Sequence, residues 1–469
     1  MLNLSIDELQ EKVMTGELTY EALTIYYLER IKAYNDQVNA VSELNPNALE
    51  SARALDQEFK AKGLRSSLHG IPVMIKDNIN IASDGFHTTA GAYAFEDMVS
   101  TYDAFIVTKL KEAGAIILGK TNLTEFANFI SDTSPNGYSA LKGQVKNPYG
   151  QYDVGGSSSG SGVAVACGFC QVAIGTETSG SIISPASSNS VIGLKPSVGL
   201  VSRHGIIPIS GSQDIPGPMG RHIGDVRHLQ SVIEGFDVKD ATTKVVLQQE
   251  ARTLTSSQPL ELKKLRLGIY EGDGDRLDGA SLIFDEAIKV VKSYGALTEV
   301  VNFDPEVFNV NWDVLYYEFS GAMKAYLATM TKSTPLTSLE DIVSFNQRNP
   351  DKYIPYDQKQ FITSLEKEKT YKNQYEKVLR DSYQYGQLID RWLEAYGLDV
   401  ICYVNCDGTD IGARNGHPSL TFPIGYTSDG QPVGFTMTGP LYSEPLLLAL
   451  ADHLIPVIGD HKDVVFELS

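Results

Sequence analysis

A lysine at the end of an apolar run is the first residue of this sequence that could do chemistry. Residues 71–75 read Ile-Pro-Val-Met-Ile, Lys76 follows them, and Asp77 comes next. Burial disfavours the ammonium form of a lysine and lowers its pKa, so a buried Lys76 could act as a base. Alternatively, Lys76 stays charged and pairs with Asp77 or another carboxylate. Taken alone, the segment leaves both interpretations open.

The second candidate is a run of eight glycines and serines at residues 155–162. A flexible linker has this composition, but the apolar residues 163–166 follow at once, which favours a loop that enters a helix. A phosphate-binding P-loop would need Lys followed by Ser or Thr at its end, and this run has neither. Residues 156–160 also match the G-x-S-x-G pattern of α/β-hydrolases around Ser158. That motif requires an apolar strand before it, whereas residues 147–153 are turn formers.

The third candidate is a polar turn at residues 175–182, which reads Gly-Thr-Glu-Thr-Ser-Gly-Ser-Ile. It follows a short apolar segment and presents Ser181 after a series of backbone N–H groups. Ser181 comes 24 residues after Ser157 (181 − 157). By itself this segment is only a polar loop.

Together the three segments resemble the amidase signature family. The family's G-x-P-x-x-x-K-D-N segment is matched by Gly70, Pro72, Lys76, Asp77 and Asn78. Its G-G-S-S loop is matched by residues 155–158, and the nucleophile turn follows at the family's spacing. Further matching segments lie at 119–126, 191–196, 214–218, 416–418 and 432–434. The resemblance covers about residues 5–455.

The resemblance implies a Ser-Ser-Lys site that works through an acyl-enzyme. Ser181 would attack the amide carbonyl, Ser157 would relay the proton, and a neutral Lys76 would be the base. The family's peptide bond before Ser157 is cis. The oxyanion hole would be formed by the backbone N–H groups of Thr178, Ser179, Gly180 and Ser181. The supporting loop residues would be Gly155, Gly156, Ser158 and Thr176. Neither a metal nor a cofactor is expected.

Departures from the family pattern bear on the substrate. Glu177, Ser179 and Ser159 replace a frequent Asp and two frequent glycines, and no catalytic side chain is lost. Many members carry an arginine two or three residues after the nucleophile, which in some binds a substrate carboxylate. Ile183 and Ser184 occupy those positions here, so we expect neutral linear amides as substrates. The turn most resembles that of peptide amidases, which deamidate C-terminal peptide amides, and peptide-backbone endoproteolysis is not expected.

Two other functions stay open. The chain could be the glutaminase (A-type) subunit of a tRNA-dependent amidotransferase, which works in complex with a partner subunit. It could also be a catalytically silent binding module on the same fold, because function depends on the site rather than on the fold.

The elements that must position these residues follow an α/β pattern, since strand-like and helix-like segments alternate along the chain. Predicted strands lie at 71–75, 115–118, 172–174, 265–269 and 297–301, with a hairpin at Asp429-Gly430. Predicted helices lie within the first 60 residues and at 105–112, 162–169, 284–294 and 446–454. Residues 309–396 are polar, helical and hold ten of the 24 tyrosines, which predicts a helical insertion or lid. We expect one amidase signature domain over 1–469, with a core at about 60–235 and 400–469. The expected architecture is a mixed β-sheet covered by helices on both faces.

Charge and composition exclude several classes of protein. With 39 Lys+Arg against 58 Asp+Glu, the net charge is −19, which argues against binding to nucleic acid or an anionic membrane. No secretory signal and no apolar run of 18 residues is present, so we expect a cytoplasmic protein. Four cysteines are too few for a disulfide scaffold. Cys167, Cys170, Cys402 and Cys406 lack a zinc signature and are expected to be small buried residues.

Overall fold

Thirteen β-strands occur in the described residues of the computed structural model, which are 1–248, 260–272, 279–302 and 312–466. They are β1 Val41–Leu44, β2 Pro72–Lys76, β3 Ile116–Thr121, β4 Tyr138–Ser139, β5 Gly143–Gln144, β6 Val172–Glu177, β7 Ile192–Lys195, β8 Ile215–Gly220, β9 Arg266–Tyr270, β10 Leu297–Val301, β11 Val400–Val404, β12 Ser419–Tyr426 and β13 Pro432–Thr438. Eleven of them form one sheet, and β4 and β5 pair separately.

The large sheet is mixed, as the sequence predicted. Its order is β1-β3-β2-β6-β8-β7-β12-β13-β11-β9-β10. The pairs β3–β2, β2–β6, β11–β9 and β9–β10 are parallel, and the other neighbours are antiparallel. Every residue of β2, β3 and β6 is buried, which requires cover on both faces of the sheet at that point. Of these strands, β2 ends at Lys76, and β6 leads into the nucleophile turn.

The helices fill the connections between these strands. In the described residues they are α1 Ile6–Met14, α2 Tyr20–Val38, α3 Ala48–Lys62, α4 Phe105–Glu112, α5 Glu125–Asn128, α6 Ser159–Ala166, α7 Ile183–Ser188, α8 Ile223–Ile233, α9 Gly279–Ser293, α10 Asp313–Thr329, α11 Leu339–Asn346, α12 Pro350–Tyr353, α13 Lys359–Glu368, α14 Tyr371–Gly386, α15 Leu388–Tyr396, α16 Thr409–Ala413 and α17 Glu444–Ile458. In α5, Phe126 and Ala127 have left-handed dihedral angles, so this element is a tight turn rather than a regular helix.

Local signals predicted most of these elements, and tertiary context moved some boundaries. Ser5 and Glu8 form a capping box at the start of α1, a signal that is visible in the sequence, and α4 and β10 have the predicted limits. The predicted helix 162–169 instead begins at Ser159, since the hydroxyl of Ser159 donates to the carbonyl of Gly155 at 2.5 Å. The predicted hairpin at Asp429-Gly430 is confirmed, because β12 and β13 are antiparallel neighbours, but its turn is longer than the two residues that this dipeptide indicates. Residues 428–430 form a longer loop in which Gly430 has a φ of +100°, closed by a hydrogen bond from Thr427 to Gln431.

Residues 313–396 are helical, as predicted, and contain α10 to α15. Residues 309–311 of the predicted insertion lie outside the described residues. Buried apolar residues of α10, α11 and α13 form a separate cluster with Phe126 and Phe129, which follow β3. The helices therefore pack beside the segment that continues from the catalytic half of the sheet. Their role as a lid stays a prediction, as does the extent of a single domain over 1–469.

Gly70, which precedes β2, is expected to be intolerant of a side chain. Its φ is +71°, and a Cβ atom there would lie 2.1–2.5 Å from ring atoms of Tyr20. We expect Gly70→Ala to lower the free energy of unfolding by about 3 kcal/mol, because left-handed backbone and overpacking each cost about 1–3 kcal/mol. Chemical denaturation measures this. The matched control is Gly16→Ala, at φ +79° with nothing within 4 Å, which has only the backbone cost. Equal losses in the two variants would contradict the packing argument.

Candidate active site

Lys76 is the last residue of β2, and its side chain is completely buried. Its Nζ lies 2.8 Å from the hydroxyls of Ser157 and Ser158 and 2.9 Å from that of Thr176. Burial lowers the pKa of Lys76 well below the usual lysine range, against opposing effects of Glu177 and Asp214. Lys76 has no ion pair with a carboxylate among the described residues. The alternative in which Lys76 pairs with Asp77 or another carboxylate is therefore not seen in the described residues, and a Lys76 that is neutral at rest stays a prediction.

Asp77, the carboxylate next in sequence, has a different partner. It pairs with Lys120 of β3 at 3.3 Å, and both side chains are buried. The hydroxyl and the N–H of Thr89 also donate to Asp77. The adjacent lysine and aspartate therefore belong to separate networks, because successive side chains of a strand point to opposite faces.

The glycine–serine loop brings Ser157 to the lysine. The peptide bond between Gly156 and Ser157 is cis, as the resemblance implied. A Cβ atom on Gly156 would lie 2.5 Å from Asn136 Oδ1 and 2.6 Å from Thr124 Oγ1, so only glycine fits here. The N–H of Thr124 also donates to the carbonyl of Ser157 at 3.0 Å. The segment just after β3 therefore fixes the loop's position.

Ser158 lies beneath this loop rather than at an exposed elbow. Its side chain is fully buried, and its hydroxyl contacts Lys76 as well as the carbonyl and N–H of Thr176. Among the described residues there is no strand between β5 and the loop. Both features contradict the α/β-hydrolase alternative, which needs an apolar strand and an exposed serine.

The turn after β6 presents Ser181. The Glu177 carboxylate, at the end of β6, accepts the N–H groups of Ile182 and Ile183 at 2.7 and 3.1 Å. The turn is thus held at both ends. Ser181 is 8% exposed, whereas Ser157 is fully buried, so Ser181 is the more accessible of the two serines. The N–H of Ser158 donates to the carbonyl of Ser181 at 3.1 Å, but no side-chain hydrogen bond joins Ser157 to Ser181.

Four consecutive backbone N–H groups in this turn have no acceptor among the described residues. They belong to Thr178, Ser179, Gly180 and Ser181, the residues of the predicted oxyanion hole. Backbone N–H groups of a folded protein are nearly always paired, so such a series is unusual. The arrangement leaves these donors available to a ligand.

Asp214 and Asn78 belong to the site although the sequence analysis assigned them no role. Asp214 accepts the hydroxyl of Thr178 at 2.6 Å, and burial raises the pKa of its carboxyl to about 6. The amide of Asn78 donates to the hydroxyl of Thr176 at 3.0 Å and so supports the lysine's partner. Both residues lie within motifs that carried the resemblance, but a motif alone does not show which side chains meet.

A cavity of about 300 Å³ adjoins the turn. Thr176, Glu177 and Thr178 form one side of it, and Ile206, Ile207 and Ile209 make another side apolar. A further side comes from one face of α10, through Ala322, Ala325, Tyr326 and Thr329, and charged groups of Arg203, Asp214, Lys239 and Asp240 complete the lining. The tyrosine-rich region therefore contributes to the cavity that adjoins the start of the nucleophile turn.

Three of the four cysteines are buried, as predicted, whereas Cys406 is half-buried. Cys167, Cys170 and Cys402 are buried and free, and burial raises the pKa of each thiol. Over the described ranges, no group of three His, Cys, Asp or Glu side chains is placed to share a metal ion. None of the helices in those ranges is long and apolar enough to cross a membrane.

Comparisons with known proteins agree with this geometry. The amidase family model matches residues 22–412. A probable amidase of Arabidopsis thaliana is 37% identical over 95% of this chain and 88% of its own. The crystal structure of peptide amidase from Stenotrophomonas maltophilia superposes with a TM-score of 0.92 at 35% identity, over 99% of both chains. The A-type subunit of the glutamyl-tRNA(Gln) amidotransferase of Prosthecochloris aestuarii is 30% identical over 95% of this chain and 97% of its own.

The full-length relatives that are amidases are more similar to this chain than the full-length amidotransferase subunit, and the fold agrees with peptide amidase from end to end. The resemblance read from three motifs is confirmed. The chain belongs to the amidase signature family and is a hydrolase that acts on amides.

Proposed function

We propose that the chain hydrolyses neutral linear carboxamides, C-terminal peptide amides among them, through an acyl-enzyme on Ser181. The observation that carries this proposal is the environment of Lys76, which is buried without a carboxylate partner and lies 2.8 Å from Ser157. A neutral amine in that position can accept a proton from the serine. This is the property that a base with a lowered pKa provides.

Acylation then follows a two-serine relay. Ser181 Oγ attacks the amide carbonyl, its proton passes to Ser157, and the proton of Ser157 passes to Lys76. The resulting ammonium returns a proton through Ser157 to the leaving nitrogen, which departs as ammonia or an amine. Water then attacks the acyl-enzyme, and the same relay takes its proton and restores Ser181. The missing hydrogen bond between the two serines forms as substrate binds, since catalytic contacts often tighten only in the complex.

The oxyanion of the tetrahedral intermediate is stabilised by the backbone N–H groups of residues 178–181. Their lack of acceptors in the turn supports this role. Each donor of this kind typically contributes about 10²–10³ in rate. Glu177 maintains the turn by binding the N–H groups on its far side, so its replacement of the family's more frequent Asp is compatible with the geometry.

The acyl side of the substrate is expected to be uncharged. Ile183 and Ser184 have uncharged side chains, so neither supplies the cation that binds a carboxylate in other members. The choice of peptide amides is supported by the similarity to the Stenotrophomonas maltophilia peptide amidase over the whole chain. The apolar wall of the adjoining cavity suits an amino-acid side chain.

The purified chain without any partner is expected to release ammonia from acetyl-leucine amide. It should use malonamide at least about tenfold better, by kcat/KM, than malonamate, because burial of an unpaired carboxylate costs about 1–3 kcal/mol. Malonamide and malonamate are nearly equal in size and differ in charge, so ammonia release from each of them isolates the effect of the substrate's charge. Efficient turnover of malonamate would contradict the neutral-substrate assignment. Glutamine hydrolysis that appears only with a second subunit would instead support the amidotransferase alternative.

A further inference from the structure

A second cavity lies along the same helix as the first. It measures about 870 Å³ and is lined on α10 by Tyr317, Glu318, Gly321 and Ala322. Tyr375 and Tyr383 of α14 form the opposite side. We call the cavity lined by Thr176, Glu177 and Thr178 the inner cavity and this second one the outer cavity. Both volumes lie in the range of about 300–1,000 Å³ that is typical of ligand pockets.

The two cavities meet where side chains are smallest. Gly211 and Ala322 line both of them. A Cβ atom on Gly211 or on Gly321 would find nothing within 4 Å, so the space at the junction is open. The lining residues run along one side of α10 from Tyr317 to Thr329. Twelve residues of helix cover about 18 Å, which is the length of about five residues of extended chain.

The junction is held in place by Glu318. Its Oε2 accepts the N–H and hydroxyl of Ser212 at 3.0 Å each, and its Oε1 accepts the hydroxyl of Tyr375 at 2.6 Å. The hydroxyl of Ser210 also donates to it. One carboxylate therefore fixes the 210–212 turn, α10 and α14 to each other. The elements that carry the shared lining residues are therefore tied together.

We propose that the inner and outer cavities form one trough that binds the acyl half of a linear peptide amide several residues long. This inference rests on the proposed function, since it places the scissile amide at Ser181. The residue next to that amide occupies the inner cavity against Ile206, Ile207 and Ile209. Preceding residues extend along α10 into the outer cavity, where tyrosine rings provide flat apolar surface and hydroxyl groups.

The trough makes substrate length a determinant of specificity. Contacts remote from the reacting bond contribute binding energy that can be used in the transition state, so they raise kcat/KM. We expect kcat/KM to rise about 10- to 100-fold from acetyl-leucine amide to a peptide amide of four residues ending in leucine. The rise should stop near five residues, where the trough ends.

The test is a side chain placed in the outer cavity alone. Gly321 lines the outer cavity and not the inner one, so Gly321→Phe fills the trough without reaching Ser181. We expect this variant to lose at least about tenfold in kcat/KM on the four-residue amide and less than about twofold on acetyl-leucine amide. The matched control is Ala328→Phe, an exposed position on the same helix that lines neither cavity. It should retain the length preference of the wild type.

Each outcome has one meaning. Equal kcat/KM for short and long amides in the wild type, or an equal loss on both in Gly321→Phe, would overturn the trough while leaving the proposed function intact. Loss of the length preference in Ala328→Phe would also overturn it. If the wild type cleaves neither amide, the proposed function itself fails.

Discussion

Replacement of Ser181 by alanine is expected to lower kcat on a peptide amide by about 10⁴–10⁶-fold and to change KM by less than about threefold. In the proposed mechanism the hydroxyl forms the covalent intermediate, so its removal eliminates the reaction path and not only one contact. The side chain is small and only 8% exposed, so the fold and the substrate contacts should persist. Ammonia release under saturating substrate measures kcat, and thermal unfolding verifies that the variant is folded.

A fluorophosphonate probe separates the loss of the nucleophile from a general loss of activity. Wild type should be labelled on Ser181, and Ser181→Ala should not be labelled at all. Ser188→Ala, at the end of α7 and outside the site, is the matched serine control and should be labelled like wild type. Labelling that survives in Ser181→Ala but disappears in Ser158→Ala would contradict the assignment and restore the hydrolase-elbow interpretation. Unlabelled wild type would favour a silent binding module.

Ser157 and Ser181 act as one unit in the proposed relay, so the losses of activity caused by substituting each of them should not add. Ser157→Ala interrupts the proposed relay between Ser181 and Lys76, so it should also be severe by itself. The double variant Ser157→Ala/Ser181→Ala should be no slower than Ser181→Ala, since the relay has no function once the nucleophile is gone. An additional loss of the same size in the double variant would mean that Ser157 contributes independently of Ser181.

The sequence contained enough local information to locate the parts of the site. Lys76 ends a run whose residues are all buried, and the G-G-S-S loop and the nucleophile turn lie at family spacing. Strong helix signals such as the Ser5–Glu8 capping box worked for the same reason, because the residues that determine the structure are neighbours in the chain. Motifs and caps are local, and local patterns can be read directly.

What the sequence could not show depends on contacts between distant residues. Asp214 meets Thr178 only because β8 lies beside β6 in the sheet, an order that does not follow the chain. The cavity that adjoins the nucleophile turn depends on α10, more than 130 residues further along, and no periodicity indicates that its small residues face the 203–216 segment. Likewise, Asp77 could have paired with Lys76 until the structure showed it with Lys120.

Lys76 and Lys120 are both buried, but substitution by methionine is expected to affect the stability of the fold in different ways. Lys120 balances Asp77, and removal of one partner of a buried ion pair typically costs about 3–5 kcal/mol, so Lys120→Met should unfold far more easily than wild type. Lys76 forms no ion pair with a carboxylate in the part of the chain that the structure describes, so Lys76→Met should remain folded. The difference between the two variants separates a structural lysine from one that is retained for chemistry.

Lys76→Met is therefore expected to lose about 10³–10⁵-fold in kcat at neutral pH while remaining folded, because the relay has no terminal base. In wild type, kcat/KM should rise with pH and reach a plateau, since only the neutral amine accepts a proton. The rise should lie well below pH 10.5, because burial lowers the pKa of Lys76 in the folded protein. Asp214, whose pKa is raised to about 6, faces the same site and could produce a rise of its own.

The variant Asp214→Asn distinguishes these two sources of pH dependence. If Lys76 is the base, the ascending limb persists in Asp214→Asn, with its midpoint lowered because a nearby negative charge no longer favours the ammonium form. If Asp214 is responsible, the limb disappears in that variant. Full activity of Lys76→Met at neutral pH would refute the role of Lys76 in either case. The role of a neutral Lys76 as the base therefore predicts both the size of the loss in kcat in Lys76→Met and the direction in which wild-type kcat/KM changes with pH.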